Sequence, residues 1–84
     1  MAYRIILKPA AQKDLDDIPD RDVVQTSKRI FQLENDSRPF GVQKLSGTNG
    51  YRIRSGTYHI LYQIDDGNQT ISIFRIKHRK DAYR

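Results

Sequence analysis

The spacing of apolar residues changes once along this chain, from a helical period to an alternating one. Before the change, Tyr3–Leu7 reads as a short strand rich in aromatic and β-branched residues. Pro9 suits the first turn of a helix, where its missing N–H leaves nothing unsatisfied. Ala11, Leu15 and Ile18 then recur at spacings of four and three on one helical face, while Asp14, Asp16 and Asp17 mostly point elsewhere. Ile18-Pro19-Asp20 is a break, because proline disfavours helical geometry in the residue before it. Asp20 is the expected N-cap of a second helix running to about Glu34, with Val23, Ile30 and Leu33 aligned and Val24 and Phe31 beside them. The two helices form a helical hairpin.

Asn35 to Gly50 is polar, carries Pro39, Gly41, Gly47 and Gly50, and reads mostly as loop. Beyond it the period alternates: Tyr51–Ser55, Tyr58–Ile64 and Thr70–Lys77 are expected strands. Short turns at Ser55-Gly56-Thr57 and Asp65-Asp66-Gly67-Asn68 suit antiparallel hairpins. Ile71, Ile73, Phe74 and Ile76 fall on both parities of the last strand, as in a central strand covered on both sides. A short segment from His78 to Arg84 closes the chain. The expected fold is α+β: an N-terminal strand, a helical hairpin and an antiparallel three-stranded meander, forming one sheet with helices packed on one face.

Length limits what this fold can rest on. Eighty-four residues suit a single domain spanning 1–84, and a chain this small hides only roughly 60–65% of its unfolded surface. There is no cysteine, so neither disulfides nor thiolate-bound zinc contribute, and an ordinary apolar core must hold the fold. Uninterrupted apolar runs of two or three residues exclude a helical membrane span. Charges enter too early in MAYRIILKPAAQKDL for a signal-peptide core, so the expected compartment is the cytoplasm.

Charge gives the first functional clue. Basic and acidic residues balance through Val42, so the whole net charge of +5 lies from Gln43 onward. A one-sided positive field attracts polyanions. Arg52 and Arg54 share one strand face, with Tyr51 and Ile53 on the other. Pairing across a tight turn sets His59 near both arginines. The last strand ends in Arg75, Lys77, His78 and Arg79, followed by Lys80 and Tyr83, so one sheet edge is expected to gather several cations, two histidines and a tyrosine. Taken singly, alternating arginines are most often a solvated face, a lone histidine a surface residue, and a basic tail only a basic tail. No phosphate-cradling glycine loop, metal-ligand spacing or serine nucleophile elbow is present. Phosphate-directed chemistry without a metal remains.

The segments YRIRSGTYHILYQI and ISIFRIKHRKDAYR, with Lys13-Asp14-Leu15 and the Lys44, Leu45, Gly47 element, resemble the RelE branch of the RelE/ParE toxin superfamily. The resemblance spans nearly the whole chain, and the terminal His-Arg-Lys-x-x-Tyr arrangement is its most specific part. It implies the toxin of a type II toxin–antitoxin pair, an endonuclease that cuts mRNA in the ribosomal A site without metal or other cofactor. The ribose 2′-hydroxyl attacks the adjacent phosphate, leaving a 2′,3′-cyclic phosphate and a 5′-hydroxyl. It also implies a cognate antitoxin, an acidic helical segment wrapping the toxin, and no membrane partner.

Carried over by position, Arg52 and Arg54 match basic residues of the second strand, Arg79 the arginine after the last strand, and Tyr83 the C-terminal tyrosine. His78 matches a histidine found in many members, and His59 stands where an arginine is common. Guanidinium groups stay protonated, so Arg52, Arg54 and Arg79 are expected to hold phosphate while Tyr83 and His78 orient or move protons. His59 is a secondary candidate for that work, and Lys44, Arg75, Lys77 and Lys80 are secondary RNA contacts. Three other readings stand beside this one: a ParE-like DNA gyrase poison of the same fold, a non-catalytic nucleic-acid-binding module, and an interaction domain whose basic face only receives an acidic helix.

Overall fold

The computed structural model describes residues 2–47 and 49–82. In chain order it contains β1 (Arg4–Leu7), α1 (Pro9–Asp16), α2 (Asp20–Gln32), β2 (Gln43–Lys44), β3 (Gly50–Ser55), β4 (Tyr58–Asp65), β5 (Thr70–His78) and α3 (Arg79–Ala82). The expected α+β architecture is present, and β3, β4 and β5 form the antiparallel meander. Two features go beyond that pattern. β1 pairs parallel with β5, and β2, inside the stretch read as loop, pairs antiparallel with β3, giving the order β1-β5-β4-β3-β2.

Pro9 opens α1 as its chemistry dictates. The start of α2 lies one residue earlier than expected: Pro19 is the flanking cap residue, and Asp20 and Asp22 sit inside the first turn. Carboxylates there oppose the positive end of the helix dipole. Along α2 the inward stripe is Val23, Thr26, Ile30 and Leu33, with Thr26, Ile30 and Leu33 buried. Val24 and Phe31 lie one position further round, roughly 100° away on a 3.6-residue helix, and are 58% and 60% exposed.

The sheet face under the helices carries Ile53, Ile60, Tyr62, Ile71, Ile73 and Ile76, which join Ala11, Ile18, Ile30 and Leu33 in one core. Burying each large aliphatic side chain contributes about 1.5–3 kcal/mol, the main stabilising term for a chain without cysteine. Tyr62 is completely buried because its hydroxyl donates to the Ser37 carbonyl oxygen at 2.8 Å. Burial pushes its pKa up to about 12.

The mixed parity of β5 has a different cause from the two-sided cover expected. The register shifts between Leu61 and Tyr62: Leu61 faces Arg75 while Tyr62 faces Ile73, leaving Phe74 as an extra residue. This bulge returns Ile76 to the face already occupied by Ile71 and Ile73.

Candidate functional site

The β3–β4 hairpin turns on Gly56 and Thr57, with Gly56 at φ +60°. A two-residue hairpin of the II′ kind needs positive φ at its first turn position, which glycine supplies without strain. That turn fixes the register, and the register fixes the site. Arg54 stands opposite His59, Arg52 opposite Leu61, and on the other side of β4 His59 stands opposite Lys77. These residues share the sheet face turned away from the helices.

The chain then returns to the hairpin. The Arg79 backbone N–H donates to the Thr57 carbonyl at 2.6 Å, which brings the start of α3 back to the β3–β4 turn. His59 is only 4% exposed. Burial lowers its pKa below the ordinary value of 6.5, and the charges of Arg52, Arg54 and Arg79 lower it further. Near neutral pH the imidazole is therefore predominantly neutral.

Beside this row lies a cleft of about 310 Å³ lined by Arg29, Gln43, Arg52, Arg54 and His59. Arg52 donates from its guanidinium to the Gln43 side-chain oxygen, which ties β3 to β2. Arg29 reaches over from α2, donating through Nε to the Arg54 carbonyl at 3.4 Å and through an Nη to Gln32 Oε1 at 3.2 Å. Sequence reasoning missed Arg29. Its only signal is its place next to the core residue Ile30, on the helix that packs against β3.

Other expected site residues are placed elsewhere. His78 stands opposite Tyr58 on the helix-covered face, its ring edge-on to the tyrosine with centroids 5.3 Å apart. It lines a small pocket with Asp14, Asp17 and Ile18, and its Nδ1 accepts the Lys80 N–H at 3.2 Å. Alternation along a strand separates it from His59, so the two expected histidines are not partners. Arg75 is directed to α1, with Nε and an Nη at 2.8 and 3.1 Å from the two Asp14 carboxylate oxygens. Asp14 Oδ2 also accepts the Ile76 backbone N–H at 2.9 Å, beyond the point where β1 stops pairing with β5. Lys44 pairs with Tyr51, on the opposite parity from Arg52, and borders a separate surface hollow. Lys80 is exposed on α3 beside Arg79. Tyr83 lies outside the described residues.

The cluster therefore joins guanidinium groups from β3 and the start of α3 to a neutral buried imidazole, with a further arginine at the cleft. Guanidinium offers up to five N–H donors and bidentate geometry for phosphate oxygens, and it does not deprotonate. Such a surface can bind a phosphodiester, oppose charge that builds on it, and supply one proton acceptor.

Comparison with known proteins identifies the family and the fold. The sequence model of the family described as the ParE toxin of type II toxin–antitoxin system, parDE, matches residues 5–83. Toxin RelG of Mycobacterium tuberculosis is 35% identical across 100% of this chain and 99% of its own length. Toxin RelE of the same organism is 27% identical, over 98% of this chain and 87% of its own. Among solved structures, the toxin–antitoxin complex RelBE2 of M. tuberculosis contains a chain superposing with a TM-score of 0.83 at 28% identity, covering 94% of this chain and 100% of that one. The archaeal RelE–RelB complex of Pyrococcus horikoshii gives a TM-score of 0.83 at 29% identity, over 94% and 97% of the two chains. With the family model matching residues 5–83 and solved toxin chains superposing at a TM-score of 0.83, the chain belongs to the RelE/ParE superfamily and is a toxin of the type II toxin–antitoxin class.

Proposed function

We propose that this toxin is an mRNA endonuclease that acts on the ribosome, in the cytoplasm, and needs no metal. The observation that carries the reading is the convergence of Arg52, Arg54 and Arg79 charge on the buried His59. In the proposed step the ribose 2′-oxygen attacks the adjacent phosphorus and the bond from phosphorus to the 5′-oxygen breaks. A 2′,3′-cyclic phosphate and a 5′-hydroxyl result. The three arginines hold the phosphate and oppose the charge that builds on it. The 2′-hydroxyl proton passes to His59, whose neutral imidazole suits that role, the departing 5′-oxygen takes a proton from solvent water, and the imidazolium returns its proton to solvent. Tyr83 is retained as an orienting or proton-moving group, with Lys77 and Lys80 as RNA contacts.

A site with a single well-placed acid–base group gains most from substrate alignment, which the ribosomal A site would supply by fixing the in-line geometry. The positive face also suits a cognate antitoxin presenting an acidic helical segment, since complementary charge speeds encounter and fixes register. The family description names a ParE toxin, which keeps a ParE-like inhibitor of DNA gyrase as the second reading.

Two parallel assays decide between them. Translating ribosomes incubated with the protein are expected to yield mRNA cut at defined sites with cyclic-phosphate ends, while gyrase keeps supercoiling plasmid DNA. Intact mRNA together with inhibited gyrase would replace the nuclease reading by the second one.

A further inference from the structure

Phe40 lines the arginine cleft and yet is 101% exposed. It is the most exposed of the large apolar side chains among the described residues. Its position is held by the backbone: the Val42 N–H donates to the Pro39 carbonyl at 3.0 Å, closing a four-residue turn with Phe40 and Gly41 at its two corners. Gly41 has φ +89°, the value required at the third residue of a type II turn, where a side chain would be strained. The turn thus holds an aromatic ring at the rim of a cleft whose walls carry Arg29, Arg52 and Arg54.

From this juxtaposition we propose that Phe40 is a stacking platform for one base of a single-stranded RNA, next to the phosphate bound by the cleft arginines. Proteins that hold single strands combine a cationic groove along the backbone with aromatic faces on which bases stack. The surroundings favour a nucleotide over an apolar protein anchor. A protein hot spot sits in a desolvated apolar pocket, whereas this ring borders guanidinium groups and open solvent. Stacking tolerates any base but gains with ring area, so a purine is preferred at this position. The proposal rests on the RNA-directed reading of the cleft and adds a contact to it.

The chain contains no tryptophan, so Phe40→Trp introduces a single tryptophan, excited selectively at wavelengths where the five tyrosines do not absorb, on an exposed turn where folding is not at risk. The probe is a hexaribonucleotide with 2′-deoxy substitutions, which cannot be cleaved by 2′-hydroxyl attack, titrated into the millimolar range. Saturable quenching of the tryptophan is expected. Followed by the fluorescence anisotropy of an end-labelled copy of the same probe, Phe40→Ala should bind about tenfold to a hundredfold more weakly than the wild type, as loss of one base stack does, with an unchanged slope of affinity against salt. Arg29→Ala should instead lower that slope by about 0.7. One abasic position in the probe should remove the difference between wild type and Phe40→Ala. Wild-type affinity in Phe40→Ala, or no quenching up to millimolar probe, overturns the proposal. Loss of binding to an acidic antitoxin helix with RNA binding intact also overturns it, and assigns the ring to a protein contact. A Phe40 effect on this probe in a protein that leaves ribosomal mRNA uncut would uphold the stacking contact and refute the nuclease instead.

Discussion

Arg54 and His59 face each other directly across the β3–β4 hairpin. A permanent cation is thereby held beside a buried imidazole, and the imidazole's pKa falls below 6.5 through burial first and the Arg52, Arg54 and Arg79 charges second. The unfolded chain takes up its proton near 6.5, while the folded chain does so only at lower pH. This group's contribution to stability is therefore complete above about 6.5 and is lost as the pH falls. Thermal unfolding is expected to show a midpoint that declines from pH 7 to pH 5, and His59→Gln should flatten that decline. Cleavage by the wild type should decline on acidification only at a pH below that at which a free imidazole takes up its proton. A midpoint in His59→Gln that keeps the full pH dependence would refute the assignment.

Alanine at Arg54 or Arg79 tests the phosphate grip with little risk to the fold, because both side chains are exposed. Removing one preorganised donor to a transition-state oxyanion costs about a hundredfold to a thousandfold in rate. Each variant is expected to lose that much ribosomal mRNA cleavage, measured by primer extension, while stability changes by no more than about 0.5 kcal/mol. Wild-type cleavage in both would remove the arginines from the mechanism.

Much of this was legible from residue pattern alone. Ala11, Ile18, Ile30 and Leu33 lie on the faces their spacing indicates, and the Gly56 turn pairs Arg54 with His59 as alternation requires. What could not be read has physical causes. The pairing of β1 with β5 joins residues more than sixty positions apart, and nothing local encodes such a contact. β2 is two residues long, too short for any period to register. The Phe74 bulge inverts parity within β5, so counting along the strand assigns the residues beyond it to the wrong face. Tyr83, expected at the site, lies outside the described residues. Arg29 reaches the cleft through helix packing, not through any motif.

Asp14 holds the far end of β5. Burial raises its pKa, but hydrogen bonds from Arg75 and the Ile76 N–H and the charges of Arg75 and Lys77 outweigh that effect, leaving it below 3.8. The ion pair is partly screened, since the Arg75 side chain is 43% exposed, so the orphaned Ile76 donor is the larger loss on substitution. Asp14→Ala is expected to cost about 1–3 kcal/mol. For a chain of this length that lowers the thermal midpoint by about 4–8 °C per kcal/mol. Because the depressed pKa stabilises the fold above about 3.8 and is lost on acidification through the folded value, the variant should show less acid denaturation near pH 3. Calorimetry at pH 7 and pH 3 measures both effects, and an unchanged midpoint at pH 7 would show that Asp14 does not anchor the strand.

His78 provides the converse test. It adjoins Arg79 in sequence, but its ring packs edge-on against Tyr58 beside α1, on the face opposite Arg52, Arg54 and His59. A proton carrier must come within hydrogen-bond reach of the reacting oxygen, and no rotation about a side-chain bond moves a group through a sheet. His78→Gln is therefore expected to cut mRNA on ribosomes within about fivefold of wild type, less than about 1 kcal/mol in barrier, with the same pH profile. Its cost should fall on packing: the contact with Tyr58 and the Nδ1 acceptor for the Lys80 N–H are both altered, which loosens the start of α3. A hundredfold loss of cleavage together with a shifted pH profile would place the essential proton on His78 and displace His59 from the role given to it.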